Sequence, residues 1–135
     1  MMPAYLLDSD VCVHAIRRRS TLLTETVRRI RPDGLALSVI SYGEVTEGVL
    51  GSPRRLEDLT RWADFLTGCD ILDVTLAIAD RWAELRYYLR VRGQIVGDND
   101  LLIAATAMQF GMKVVTGNAR HFGRIPGLDV MVPEL

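Results

Sequence analysis

The feature that most constrains the fold is a short apolar run near the N-terminus, residues 4–7, which leads directly into Asp8-Ser9-Asp10. The run is apolar on both alternating faces, so a strand formed here would be buried on both sides. Strands of this kind belong to parallel sheets that carry helices on either face. Asp8 would then lie at the carboxyl end of the strand, which is the edge of an open α/β sheet where ligands bind.

The rest of the chain alternates short apolar runs with longer amphipathic ones, as a parallel sheet covered by helices requires. Capping residues and breakers set the boundaries, such as Ser9 or Asp10 before the first helix and Gly51-Ser52-Pro53 after a later one. Crossovers between parallel strands should be right-handed. The predicted strands are 4–7, 35–38, 69–74, 113–116 and 128–132. The predicted helices are 9–19, 21–30, 39–50, 54–67, 76–91, 98–110 and 118–122.

Composition excludes several classes of protein. With 135 residues, 49% of them hydrophobic, we expect a single domain spanning 1–135 that has a real core and is not disordered. The formal net charge of −1 supplies no overall field that would attract nucleic acid. No apolar run approaches the ~20 residues of a membrane span, and we expect no secretory leader and no membrane contact. Cys12 and Cys69 form no CxxC pair, which favours a reducing, cytoplasmic location.

Four polar side chains stand where an apolar strand or helix starts or is interrupted: Asp8, Glu44, Asp100 and Asn118. Each has an ordinary structural explanation, because the aspartates and the asparagine could be helix caps and the glutamate could be solvated. However, Asp8-Ser9-Asp10 and Asp98-Asn99-Asp100 each hold two acids, more than one cap needs. Glu44 is surrounded by small residues and has Glu47 close by on the same helix, and like charges at that spacing repel unless a cation is near.

If these side chains converge at one sheet edge, they form a pocket of hard oxygen ligands that suits magnesium or manganese and not zinc. In this pocket Asn118 would supply an oxygen ligand or position a water molecule, with Thr116 beside it. Arg120, on the same turn, could face a phosphate. His14 and His121 have no metal-ligand spacing to each other, and we interpret both as surface or packing residues.

Four segments, in order along nearly the whole chain, carry a resemblance to a known family. Tyr5-Leu6-Leu7-Asp8-Ser9-Asp10 is similar to an opening strand with its first acid, and residues 41–48 match a Glu-x-x-x-Gly helix. Residues 100–105 resemble an Asp-x-x-Ile-Ala-Ala helix start, and 115–122 with 124–128 are close to a closing signature. Together these segments resemble the PIN-domain ribonucleases, and within them the VapC-type toxins of bacterial and archaeal toxin–antitoxin pairs.

The resemblance implies a three-layer α/β/α PIN-like domain with a central, mostly parallel sheet of four to five strands. It implies a metal-dependent endoribonuclease that cleaves RNA with a metal-activated water. It also implies two protein partners, a cognate VapB-like antitoxin and a second copy of the chain in a homodimer.

The resemblance also assigns roles to individual residues. The metal ion, Mg²⁺ with Mn²⁺ as an alternative, would be held by Asp8, Glu44 and Asp100. Asn118 takes the fourth catalytic position, where the family often has aspartate. The residues expected to contact substrate are Ser9, Thr116 and Arg120, and those expected to lie behind the ligands are Asp10 and Asp98. Further phosphate contacts would come from arginines, although about half of the candidates are explained as solvated helix ends: Arg17, Arg18, Arg19, Arg28, Arg29, Arg54 and Arg55.

Two other functions are compatible with parts of the pattern. Residues 6–11 and 96–100 resemble the motifs of haloacid-dehalogenase-type phosphatases, in which Asp8 would attack phosphate covalently and Asp10 would be the acid–base. Against this, the only lysine, Lys113, follows the second motif instead of preceding it. The other alternative is a catalytically silent binding module with a PIN fold, although the chain keeps all of the acids.

Overall fold

The computed structural model describes residues 2–18 and 20–133, and its centre is a parallel sheet. The strands are β1 (Tyr5–Leu7), β2 (Leu35–Ser38), β3 (Cys69–Leu72), β4 (Lys113–Val115) and β5 (Val130–Met131). They lie in the order β3-β2-β1-β4-β5, and every neighbouring pair is parallel. Leu7 is in register with Val115, so the carboxyl ends of β1 and β4 lie side by side.

Helices connect the strands, and a 3₁₀ helix, Arg31–Asp33, precedes β2. The α-helices are α1 (Ser9–Arg17), α2 (Thr21–Ile30), α3 (Val39–Leu50), α4 (Arg55–Leu66), α5 (Leu76–Val91), α6 (Asp98–Phe110) and α7 (Ala119–Phe122). Within the described ranges, no helix is long and apolar enough to cross a membrane.

The core has two halves, one on each face of the sheet. Because successive strand residues point to opposite faces, Leu6 packs with residues of α5 and α6, whereas Leu7 packs with residues of α1, α2, α3 and α4. Both leucines are fully buried. This arrangement confirms the predicted three-layer α/β/α fold and gives its sheet five parallel strands in the described part of the chain.

The N-cap and the end of α1 differ from the prediction, although the helix begins at Ser9 as expected. The N-cap is Asp8 and not Ser9 or Asp10, since the Asp8 carboxylate accepts the backbone N–H of Ser9. The helix stops at Arg17 because Arg18 adopts a left-handed conformation with φ of 51°, and its N–H bonds back to the carbonyl oxygens of residues 14 and 15. The predicted last residue, Arg19, lies outside the described residues.

Other boundaries also shift, mostly where the sequence predicts a longer strand. The third strand ends at Leu72, and the predicted residues 73–74 join the turn to Thr75, which caps α5. The last strand shrinks from five predicted residues to Val130–Met131. β5 is an edge strand that pairs with β4 alone, so only the residues opposite Val114 and Val115 are held in the ladder.

Candidate active site

Asp8 is fixed at the carboxyl edge of the sheet by hydrogen bonds to both of its carboxylate oxygens. The backbone N–H of Ser9 donates to Oδ1 over 2.8 Å, and the Thr116 hydroxyl donates to Oδ2 over 2.8 Å. The Asp8 backbone N–H donates to the carbonyl of Val115 over 2.9 Å. Asp8 therefore serves as the N-cap of α1, which is the structural role expected of an aspartate at this position. Its second oxygen also connects the ends of β1 and β4 through Thr116.

The electrostatics of Asp8 are unusual for a capping residue. The side chain is only 6% exposed, and burial raises its pKa from 3.8 to about 6. The hydrogen bond from Thr116 opposes this rise, and the negative charges of Asp10 and Asp100 add to it. The charges of Asp10 and Asp100 therefore lie close enough to Asp8 to disfavour its ionised form, in addition to the larger effect of burial.

Asp10 lies against the end of β4. One carboxylate oxygen accepts the backbone N–H of Val11 over 2.8 Å. The other, Oδ2, would be 3.0 Å from a Cβ atom placed on Gly117, so a larger residue there would push against the Asp10 carboxylate and make it shift. Asp10 is therefore a member of the acidic cluster itself and contributes charge directly to it.

Asp100, His121 and Asn118 form a second group at the same edge. His121 Nδ1 lies 3.2 Å from Oδ2 of Asp100 and 2.9 Å from Nδ2 of Asn118. Nδ1 cannot donate to the carboxylate and accept from the amide at the same time, so the imidazole alternates between two tautomers or the amide turns. The backbone N–H of Asn118 donates to the Thr116 hydroxyl over 2.9 Å, which links this group to Asp8.

The placement of His121 corrects its interpretation as a surface or packing residue. His121 has no second histidine at a spacing suited to metal binding, and its partners are a carboxylate and an amide. One signal was present in the sequence, because Asn118 and His121 are three residues apart and share a face of a helical turn. His14 makes no described hydrogen bond to any of the acids.

Glu44 is less closely tied to the cluster than the sequence predicts. It is exposed on α3, and its Oε2 accepts a 3.5 Å hydrogen bond from Nδ2 of Asn99, next to Asp100. Its charge is not among those that shift the pKa of Asp8. The neighbouring Gly43 and Gly48 would have no heavy atom within 4 Å of an added Cβ, so the space around Glu44 is open.

The expected substrate contacts fall into different environments. Thr116 is fully buried and its hydroxyl is engaged by Asp8 and Asn118, so it supports the cluster and does not reach a substrate. Ser9 is half-buried at the start of α1, and Arg120 is exposed on α7, beside His121. Asp98 turns away from the cluster, because its Oδ1 pairs with Nε of Arg86 at 3.2 Å.

The donor set at this edge suits a hard divalent cation. Carboxylates and a carboxamide are the oxygen ligands that magnesium and manganese prefer. The unfavourable effect of the Asp10 and Asp100 charges on ionised Asp8 is the kind that a cation relieves. However, the acids are not yet arranged as a complete set of metal ligands. Among the described residues, no group of three or more His, Cys, Asp or Glu side chains has a geometry that could hold a metal ion.

The fold and this acidic edge together define a PIN domain, and the family comparison agrees. The family model described as PIN domain matches residues 5–128, so the chain belongs to the PIN-domain family. Within that family its relatives carry VapC names. It is 32% identical over 125 residues to "Ribonuclease VapC2" of Rickettsia felis, covering 92% of this chain and 93% of that one. It is 28% identical over 127 residues to "tRNA(fMet)-specific endonuclease VapC" of Shigella flexneri, covering 94% of this chain and 96% of that one.

Solved structures give the same result. VapBC2 from Rickettsia felis, crystallised with a DNA fragment from its promoter, matches with a TM-score of 0.89 and 30% identity over 96% of this chain and 98% of that one. DNA-bound VapBC from Salmonella typhimurium matches with a TM-score of 0.87 and 27% identity over 97% and 98% of the two chains. The resemblance seen in the sequence motifs is thereby confirmed.

Proposed function

We propose that this protein is a metal-dependent endoribonuclease and the toxin of a VapBC-type toxin–antitoxin pair. The observation that carries the proposal is the buried Asp8 carboxylate at the sheet edge, with the charges of Asp10 and Asp100 acting on it. Perturbed carboxylates at such an edge are typical of functional sites. The ribonuclease and endonuclease names of relatives that match more than nine-tenths of this chain support the same activity.

Asp8, Asp100 and Glu44 would hold the cation, with the Asn118 carboxamide close by. When bound, Mg²⁺ or Mn²⁺ supplies positive charge to the scissile phosphate and lowers the pKa of a coordinated water. Thr116 and the Ser9 backbone N–H keep the Asp8 carboxylate from rotating. With its proton on Nδ1, His121 would likewise donate a hydrogen bond to the Asp100 carboxylate.

In the reaction, a carboxylate of the cluster accepts a proton from the attacking water. The water oxygen forms a bond to phosphorus, the bond from phosphorus to one ribose oxygen breaks, and that oxygen leaves with a proton. Arg120, which is exposed beside His121, would contact a phosphate oxygen.

The protein partners follow from the same proposal. The matched structures from Rickettsia felis and Salmonella typhimurium are VapBC assemblies, so a VapB-like antitoxin is the partner we expect. We also expect a homodimer, on the basis of the family resemblance. The two free cysteines, Cys12 and Cys69, fit a reducing cytoplasm as the place of action.

The test is cleavage of RNA by the purified chain with magnesium or manganese, and with EDTA in place of either. We expect cleavage only with metal and expect Asp100→Asn to abolish it. Asp80→Asn is the matched control, because Asp80 is an exposed aspartate on α5 outside the site. A wild-type protein that folds and binds RNA but cleaves none with either metal would favour the silent binding module.

The phosphatase alternative loses its basis with the family match over residues 5–128. In addition, Asp98, which belongs to the second phosphatase-like motif, turns outward to Arg86 and does not face Asp8. Beryllium fluoride, which traps phosphoaspartate enzymes, should therefore leave the RNA cleavage unchanged.

A further inference from the structure

A cavity of about 420 Å³ lies between the C-terminal half of α5, the loop 93–97 and the first turns of α6. Its volume falls in the range of small-molecule sites, ~300–1,000 Å³. We call it the α5–α6 cavity, and it is lined by Arg86, Leu89, Arg90, Gly93, Gln94, Ile95, Val96, Asp98 and Leu101. None of these residues is a proposed ligand of the metal ion.

Two guanidinium groups at this cavity are held in place by aromatic rings. Arg86 lies 5.6 Å from the centre of the Trp82 ring and pairs with Asp98, and Arg90 lies 5.6 Å from the centre of the Tyr87 ring. Trp82 is itself fixed, because its indole N–H donates to the backbone carbonyl of Asp98 over 3.3 Å. An arginine stacked in this way loses less conformational freedom when it binds a phosphate than a free side chain does.

The residues that line the cavity carry more positive than negative charge, although the chain as a whole is slightly negative. Arg86 and Arg90 face one acid, Asp98. A third cation, Arg124, donates from Nη1 to the carbonyl oxygen of Ile95 over 2.8 Å and so reaches the same loop. The local excess of cations supplies the attraction for a polyanion that the net charge of −1 does not.

The rest of the lining suits a nucleobase. Leu89, Val96 and Leu101 are buried and form an apolar floor. Gln94 adds a carboxamide, which both donates and accepts hydrogen bonds and can read the edge of a base. A nucleotide matches both parts of the lining, since its flat base can lie on the apolar floor and its anionic phosphate can pair with the arginines.

The α5–α6 cavity adjoins the acidic cluster along the chain and in space. Asp98, which lines it, is two residues from Asp100 on the first turn of α6. A Cβ atom on Gly97, in the loop that borders the cavity, would lie 4.0 Å from Oδ2 of Asp100. A nucleotide in the cavity would therefore neighbour the phosphodiester at the acidic edge.

We propose that the α5–α6 cavity binds one nucleotide of the RNA, next to the bond that is cleaved, with Arg86 and Arg90 on its phosphate and Gln94 at its base. The proposal rests on the ribonuclease function above and adds to it a subsite that contributes to substrate choice. It assigns RNA binding to arginines on α5, whereas the arginines proposed from the sequence are Arg120 and those within residues 17–19, 28–29 and 54–55.

The first test measures RNA binding without cleavage, by anisotropy of a short fluorescent single-stranded RNA of random sequence in EDTA. Arg86→Ala and Arg90→Ala should each weaken binding about tenfold, as expected for the loss of one charge-assisted hydrogen bond. Each should also reduce the slope of log affinity against log salt by about 0.7, the value for one phosphate contact on a single strand. Arg81→Ala is the matched control on the same helix, because Arg81 pairs with Gln109 and does not line the cavity.

The second test examines the base. A pool of RNAs is digested with metal, and the nucleotides around the cleaved bond are compared for wild type and Gln94→Ala. We expect the base preference at one position near the cut to relax, with the salt dependence of binding unchanged.

The outcomes separate the subsite from the function. If the wild-type protein cleaves RNA but Arg86→Ala and Arg90→Ala bind RNA as tightly as Arg81→Ala does, the subsite is overturned and the proposed ribonuclease function stands. Protein that neither binds nor cleaves RNA overturns both. Light scattering of each variant is the remaining check: loss of a dimer in Arg86→Ala or Arg90→Ala would identify this face as an interface between copies and overturn the RNA assignment.

Discussion

Replacing Asp8 with asparagine should stabilise the metal-free protein at neutral pH. The buried carboxyl has a pKa of about 6 in the folded chain against 3.8 ordinarily, so ionising it there costs about 3 kcal/mol of folding free energy. Asparagine has no charge and nearly the same shape. Its amide can donate to the Thr116 hydroxyl, which already accepts the Asn118 N–H, so part of the hydrogen bonding is kept. After allowing for a weaker bond at that oxygen, we expect a net gain of about 2 kcal/mol.

The pH dependence of this gain identifies its cause. Because the folded pKa is raised, the neutral form of Asp8 favours folding, so its contribution is fully present below the unfolded value of 3.8 and is lost as the pH rises through about 6. Urea unfolding in EDTA should therefore show Asp8→Asn more stable than wild type at about pH 7.5 and nearly equal to it at about pH 4. Asp80→Asn, at an exposed site, should match wild type at both values. Two results would contradict this explanation. One is an Asp8→Asn protein that is less stable than wild type at neutral pH, and the other is a difference in stability from wild type that is the same at both pH values.

Three further predictions concern the same site. Adding magnesium or manganese should raise the free energy of unfolding of wild type, by about 2.7 kcal/mol at a hundredfold excess over Kd, and leave Asp8→Asn nearly unchanged, as followed by thermal denaturation. Thr116→Val should destabilise the chain by about 1–3 kcal/mol in urea unfolding, because Asp8 Oδ2 and the Asn118 N–H lose their shared partner, whereas Thr60→Val on the exposed face of α4 should not. His121→Ala should reduce RNA cleavage by about 10- to 100-fold with little change in stability, and His121→Gln, which keeps a hydrogen-bonding group, should recover part of it.

The layered fold was predictable because burial leaves a pattern in the sequence. Strand residues such as Leu6 and Leu7 face opposite halves of the core, so both had to be apolar. The ends of elements were less predictable. Nothing in residues 128–132 indicates that β5 has only one neighbour, and the pairing that shortens it to two residues is a property of the sheet.

The site was predictable where a residue follows directly from a strand or helix end. Asp8 and Asp100 could be expected at one edge because parallel strands and the helices after them share that edge. Side-chain partners across the chain could not be inferred in this way. The sequence gives no indication that His121 meets Asp100 across 21 positions, or that the Thr116 hydroxyl turns inward to Asp8, 108 positions away. For the same reason Arg86 and Arg90 resemble any exposed arginines of an amphipathic helix until α6 and the loop 93–97 are in place beside them.

The incomplete gathering of the acids is itself informative about how the site is built. Asp8 and Asp10 accept hydrogen bonds from backbone amides of α1, and Asp100 lies 3.2 Å from His121 Nδ1, so the fold itself brings the charges of Asp10 and Asp100 near Asp8. Glu44 is different, since it is exposed on α3 with open space at Gly43 and Gly48 and holds only a long contact to Asn99. If a cation binds at this edge, Glu44 is therefore the ligand that must move to reach it. Removing Glu44 should then weaken metal binding while leaving the metal-free stability nearly unchanged, whereas Asp8→Asn should weaken metal binding and also raise the metal-free stability.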